Sequence, residues 1–437
     1  MRRYQFALIM FVGLLLGAHF FRMSEYGITV VCILFPSLMI FRQRWALHIV
    51  IIFILSGAMI WIQTGVSIVL QRTSDDLPFV RAGLILAGVA AIFCLPLLFL
   101  TKQIVRDRFS ASIKSAGACT TAFMVVFIMC AFPQGLLHHP IPLLAERFIR
   151  GAGWIEIFFL SLYAAILVEK LYNTQSIGRL RKRIWLTFSI IFFLQALVGL
   201  CGIKQCLMTG NLHLPVPAMI LAGPIISGGG FFMPILFMAT VVLAGPTWCS
   251  WLCYWGSWDN IIAGEQSNLR RRPIKNHRTI QIIIVFLMIL FSVAMRHAGA
   301  STIISSIFGA CFGFTGIAIM IFISRKLGTM THCTSYCPMG LIATIFGKIN
   351  PLRIKIDNSC GECNACSRIC NYGALTSQDL RRRSPGNTCT LCGDCTSICH
   401  NGRITFHFPG LSTITTQKLF IVTVVSIHAI FLGFARL

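Results

Sequence analysis

Apolar stretches of about 17 to 25 residues recur from the N-terminus to about residue 324, and one more follows near the C-terminus. Each is long enough to cross a hydrocarbon core of about 30 Å as a helix. Inside such a core every backbone N–H and C=O must be satisfied within the segment, so helices are the natural solution. The chain is therefore expected to be an all-α polytopic membrane protein of about eleven spans. A mean hydropathy of +0.79, with 56% apolar residues, sets it apart from ordinary soluble enzymes. The first seven spans are expected to begin near Gln5, Tyr26, Trp45, Val80, Ala116, Gly153 and Ile184.

Charge gives the topology. The sequence has 37 basic and 13 acidic residues, a net charge of +24. The cations sit in short clusters between spans, where the positive-inside rule puts them, so the excess reads as membrane topology and no nucleic-acid partner is expected. With Arg2 and Arg3 cytoplasmic and the spans alternating, their side also receives Arg42/Arg44, Lys102/Arg106/Arg108/Lys114, Lys170/Arg179/Arg181/Lys182/Arg183, Arg270/Arg271/Arg272/Lys275/Arg278 and Arg325/Lys326. The opposite side receives only Arg22, Arg72, Arg81, Arg147, Arg150, Lys204, Arg296 and Arg436. The expectation is a multi-pass protein of the plasma (inner) membrane, with the N-terminus and a cysteine-rich domain cytoplasmic and the C-terminus outside.

Four regions follow: an N-terminal bundle of about seven spans (1–210), a transmembrane core (211–355), a cysteine-rich domain (356–404) and a last span (411–437). Between Pro215 and Pro234, Pro217, Pro224 and the triplet Gly228, Gly229, Gly230 interrupt the helical pattern. A discontinuous or re-entrant segment is expected there, either as a pocket for a quinone head group or as a kinked helix packed through glycine. Glu156 falls at the outer boundary of the sixth span, where a carboxylate serves proton or quinone chemistry or is simply interfacial. Cys201 and Cys206, on the outer side, are a candidate disulfide.

The densest signal is in the cysteine-rich domain. Cys360, Cys363, Cys366 and Cys370 follow C-x2-C-x2-C-x3-C, and Cys389, Cys392, Cys395 and Cys399 repeat it. This is the ligand run of bacterial two-cluster ferredoxins, in which the fourth cysteine serves the other cluster. Cys360, Cys363, Cys366 and Cys399 are thus expected to hold one four-iron, four-sulfur (4Fe–4S) cube, and Cys389, Cys392, Cys395 and Cys370 the second, within a dicluster ferredoxin-like α+β domain inserted before the last span. Zinc also takes C-x2-C pairs, but the third and fourth cysteines of each copy favour the cubes. Asn371 and His400 stand where ferredoxins have proline, and a titratable His400 would make a cluster potential pH-dependent.

Four more cysteines form a second repeat. Thr247, Cys249, Ser250, Cys253 and Gly256 match Thr331, Cys333, Thr334, Cys337 and Gly340 at a constant offset, each set following an outward-to-inward span. As i and i+4 share a helical face, the two pairs can supply four sulfurs to a candidate third metal or iron–sulfur site. A dithiol/disulfide couple and inert packing are the alternatives. Trp248, Trp251, Trp255 and Trp258 are expected in an interfacial aromatic belt.

Over roughly residues 230 to 405 the chain resembles membrane iron–sulfur proteins of the NapH and NosR type, which join paired C-x3-C-P elements at span ends to a dicluster ferredoxin domain. Trp248 to Cys253, Tyr336 to Gly340 and the eight ferredoxin cysteines carry the resemblance. Tyr254 replaces the proline of the first element, the flavin-bearing outer domain of the NosR branch is absent, and the first seven spans lie outside the match. The resemblance implies electron transfer between the quinone/quinol pool and a redox partner protein in a larger complex. It also leaves open a regulatory or metal-centre maturation role. A redox-driven ion-translocating subunit is a third reading, in which the extra spans and Glu156 would matter.

Overall fold

The computed structural model describes residues 3–102, 105, 107, 109–111, 113–136, 143–174, 176–207, 214–265 and 271–434; Arg2, Arg106, Arg108, Arg270 and Arg436 of the charge count lie outside them. Among the described residues ten helices are long and apolar enough to cross a membrane. The second expected span is the exception. It is a shorter apolar helix, Tyr26–Ile40, whose regular part stops at Leu34 before Pro36, a residue with no N–H to continue the ladder.

The chain divides into two compact units, Met1–Glu169 and Lys170–Leu437. The first contains α1 (Arg3–Arg22), α2 (Tyr26–Leu34), α3 (Arg44–Ser74), α4 (Val80–Cys94), α5 (Ala116–Leu136) and most of α6 (Ala152–Asn173). Phenylalanines fill its core: Phe35 stacks on Phe53 at 4.5 Å and meets Phe158 edge-on at 5.3 Å. Large apolar side chains such as Met59 and Leu84 point outward, as a lipid-facing surface requires. Glu156 accepts a hydrogen bond from the Ala145 N–H at 2.7 Å and so caps a short helix.

The second unit begins one span earlier than the boundary expected at residue 210. Its first helix, α7 (Ile177–Leu200), is tied to the remainder of the unit by buried polar side chains: Trp185 Nε1 donates to the Cys253 carbonyl at 2.8 Å and the Ser189 hydroxyl to the Tyr254 carbonyl at 2.6 Å. The discontinuous segment is present. Helix α8 (Met219–Ser227) has nine residues, about 13 Å at 1.5 Å per residue, and ends where Gly228 enters the left-handed region at φ 72°. Chain resumes as α9 (Phe232–Ala244). Glycines of α12 (Thr302–Ile319) make room for the stretch before α8, since a Cβ on Gly309 would stand 2.9 Å from Leu214 and Met219. Before the cysteine-rich segment come also α10 (Tyr254–Gly264), α11 (His277–His297) and α13 (Pro338–Phe346).

The cysteine-rich segment is framed by two antiparallel strands, β1 (Arg353–Ile356) and β2 (Ile404–His407), paired from Arg353 with His407 to Ile356 with Ile404. Ile354, Ile356, Ile404 and Phe406 turn inward from both strands. Between them lie three five-residue helices: α14 (Ala365–Ile369) and α15 (Asp394–Ile398), one in each cysteine copy, and Ser377–Arg381 between the copies. The last helix, α16 (Thr413–Phe434), follows β2, and Phe420 stacks on Phe406 at 4.2 Å.

Candidate metal centres

The two C-x3-C elements share one backbone. Each runs through a π-helical turn, Trp248–Leu252 or His332–Tyr336, closed by an i to i+5 hydrogen bond: Cys253 N–H to the Trp248 carbonyl at 2.8 Å and Cys337 N–H to the His332 carbonyl at 2.7 Å. The second cysteine is then extended (φ −69°, ψ 112° or 123°) and opens the next helix. The continuous α-helical face expected for each pair is therefore corrected to a wider π-turn, which sets the second sulfur at a helix start. There it receives backbone N–H groups, those of Trp255 and Gly256 at Cys253 and those of Met339 and Gly340 at Cys337. Tyr254 and Pro338 occupy the same first helical position, where an N–H has no intrahelical partner and proline is interchangeable with other residues.

Cys249, Cys253, Cys333 and Cys337 are buried and gathered together, each close enough to feel the others' charge. Burial pushes the Cys337 thiol up to about 11 and holds Cys333 well above its usual value. Bare thiolates are thus disfavoured here, and only a bound cation would reverse that preference. Polar side chains brace the turns. Gln281 donates to the carbonyls of Cys333 and Cys337 at 3.1 and 3.2 Å, and the Asp259 carboxylate accepts the Cys333 N–H at 3.1 Å. Burial raises Asp259 to about 6.

In the cysteine-rich segment the two copies also repeat each other. Glu362 and Leu391, and Asn364 and Gly393, adopt positive φ at equivalent places, turning successive N–H groups toward the cysteines in a form suited to anionic clusters. The fourth cysteines match as well: Cys370 Sγ accepts the Ala374 N–H at 3.3 Å and Cys399 Sγ the Arg403 N–H at 3.2 Å. Cys370 lines one largely apolar cavity with Cys389, Cys392 and Cys395, the crossed set read from spacing. Cys366 feels the charge of Cys360 and Cys363, the first three of the other set. Burial pushes Cys370, Cys389 and Cys392 up to about 12. Among the described residues no three His, Cys, Asp or Glu side chains are gathered tightly enough for a single metal ion. A cube takes its thiolates at separate corners and needs a wider spread. The all-thiol donor sets and the N–H donors to sulfur fit iron–sulfur clusters.

The two regions interlock. Tyr372, between them, donates from its hydroxyl to the Cys249 carbonyl at 2.7 Å, and Ser250 donates to the Thr390 carbonyl at 2.9 Å. Trp185, Ala263, Met330, Cys333 and Tyr372 form one packed cluster against which Cys370 and Cys392 lie. Arg181 is buried (1% exposed); it grips Asp394 through Nε at 3.0 Å and Nη2 at 2.9 Å, and donates to the Ser250 carbonyl at 2.6 Å. Burial alone would raise the Asp394 carboxyl, but the charges and hydrogen bonds of Arg181 and Lys182 outweigh it and hold the group below its ordinary value.

No family model matches the chain, and no solved structure does. A search of curated proteins finds similarity to an uncharacterized protein of Methanocaldococcus jannaschii, 24% identical over 177 residues, covering 36% of this chain and 69% of that protein.

Spacing alone named all twelve of these cysteines. It did not single out Arg181, Asp259, Gln281, Tyr372 or Asp394, which carry no motif; a charged or amide group beside a cysteine or on an apolar helix was the only hint. Trp248, Trp251 and Trp255 are buried in the protein core instead of forming a lipid-facing belt, the first two within the π-turn Trp248–Leu252 and the third in the helix that follows it; Trp258 is 39% exposed. Cys201 and Cys206 are not joined as a disulfide.

Proposed function

We propose that this protein is a membrane electron-transfer component of the NapH and NosR type, carrying two 4Fe–4S cubes in a ferredoxin-like domain and a third metal or iron–sulfur site at Cys249, Cys253, Cys333 and Cys337. The observation that carries the reading is the packed cluster of Trp185, Met330, Cys333 and Tyr372, against which Cys370 and Cys392 lie, with the Tyr372 hydroxyl and Trp185 Nε1 donating to the carbonyls of Cys249 and Cys253. A shared core holds the two sets of cysteines side by side, as electron exchange between them would require. When bound, the clusters supply reversible one-electron chemistry.

In this reading the residues have distinct tasks. The cysteines ligate, with Cys389, Cys392, Cys395 and Cys370 nearer the membrane core and Cys360, Cys363, Cys366 and Cys399 farther out, where Cys363 is exposed. Tyr372 and Trp185 pack between the two sets of cysteines. Arg181 holds the Cys392-to-Cys395 turn against the Ser250 turn. The quinone pool is the proposed membrane partner and a redox protein the other, with the cysteine-rich domain on the cytoplasmic face.

Iron and acid-labile sulfide content, with EPR, test this reading on the full chain and on a Cys249→Ala/Cys333→Ala variant. The expected result is about eight irons held by the two cubes, with further iron in the full chain that is lost from the variant. Equal iron in both would remove the third site, and protein without acid-labile sulfide would sink the whole reading. Reduction of the EPR-visible clusters by a quinol assigns the membrane partner.

A further inference from the structure

An open groove lies beside the outer cysteine set, lined by Lys182, Gly264, Arg271, Ala365, Arg368, Ile369, Asn371, Ile398 and His400. Its floor adjoins two proposed ligands: Ala365 precedes Cys366, and Ile398 and His400 flank Cys399. Three of its side chains are permanent cations, and no carboxylate is in the lining. This charge is local. Residues 356–404 are nearly balanced, with Asp357, Glu362, Asp379 and Asp394 against Arg368, Arg381, Arg382, Arg383 and Arg403. The groove is basic because the membrane core adds Lys182 and Arg271 to Arg368.

Of the nearby carboxylates, Asp394 divides its single charge between the buried Arg181 and the groove's Lys182, leaving net positive charge, and Glu265 is engaged elsewhere. Asp394 is buried under Arg181, with Lys182 at 3.5 Å on its outer side. Glu265, next in the chain to Gly264, is turned to Arg325 at 3.2 Å. Arg271 is pinned by carbonyls, those of Ala263 at 2.8 Å, Arg368 at 3.1 Å and Gly328, which orient its guanidinium without neutralising it. Held cations around a small apolar floor (Ala365, Ile369, Ile398) make a surface complementary to a carboxylate-rimmed protein.

We propose that this groove docks an acidic, soluble electron-carrier protein, bringing its redox group beside Cys366 and Cys399. The proposal rests on the electron-transfer reading above. Anionic lipid shares the charge chemistry, but its headgroups would meet any of the basic loops and have no need of a site next to the outer cysteines.

Binding of an acidic two-cluster ferredoxin to the purified full-length protein in neutral detergent, followed by surface plasmon resonance, tests it. Arg368→Glu is the test variant. Arg382→Glu, an equal charge change outside the groove, is the control, and iron content is measured on each preparation. Binding is expected to weaken about tenfold in Arg368→Glu and to hold in Arg382→Glu. It should also fall as ionic strength rises from about 0.01 M to about 0.15 M, which shortens the Debye length from about 30 Å to about 8 Å. Equal affinity of wild type and Arg368→Glu, or an equal loss in both variants, overturns the proposal. So does wild-type protein that ignores the ferredoxin while Arg368→Glu reduces its association with phosphatidylglycerol vesicles. Wild-type protein devoid of iron would instead refute the electron-transfer reading, and the binding series would still report on the groove.

Discussion

At the scale of single residues, Arg181 and Asp394 show how much depends on side chains without a motif. Both are buried, and without Arg181 the Asp394 charge keeps only the partly exposed Lys182 at 3.5 Å; Arg181→Met is expected to cost about 3 kcal/mol, and adding Asp394→Asn should recover much of it. Denaturation of the detergent-solubilised protein checks both. Because the folded Asp394 carboxyl titrates below its unfolded value of about 3.9, its contribution is fully present above that pH and is lost as the pH falls through the folded value. A stability profile in which wild type and the double variant converge below about pH 4, and separate above it, is the expected outcome; parallel profiles would remove Asp394 as the cause.

At the scale of elements, the two π-turns depend on the glycine that follows each. A Cβ on Gly256 would stand 2.9 Å from the Cys249 carbonyl and 2.7 Å from the Trp185 ring, and one on Gly340 would meet the Cys333 carbonyl. Those oxygens are backbone, so the turn itself must move. Gly340→Ala is expected to destabilise by about 1–3 kcal/mol and to lower iron at the proposed third site while the eight-iron content of the cubes stays. Normal iron and unfolding behaviour in that variant would show that the turn yields without consequence. The repeat that made the pairs visible is thus also a repeat of backbone shape.

At the scale of the whole molecule, the ten long apolar helices among the described residues bear out a polytopic membrane protein. The sidedness proposed from loop charge places the cysteine-rich domain in the cytoplasm and the C-terminus outside. An epitope inserted after Arg382, exposed at the end of a short helix, is expected to be reached by antibody only in inside-out vesicles, and one after Leu437 only in right-side-out vesicles. The opposite pattern inverts the topology and with it the compartment of any soluble partner.

Length and periodicity of apolar runs, cysteine spacing and the Pro/Gly break between Pro215 and Pro234 were all legible in the sequence, because each is a local property of the chain. So was the spacing of the twelve cysteines, since spacing is written along the backbone. The path of α7 into the second unit, the inward turn of Trp248, Trp251 and Trp255, and the meeting of Tyr372 with Cys249 were not. Those contacts join residues far apart in the chain, up to 213 positions for Arg181 and Asp394. Only packing decides which distant carbonyl, ring or charge a side chain meets, and the basic groove beside the cysteines exists for the same reason: its cations come from separate elements brought to one edge by the fold.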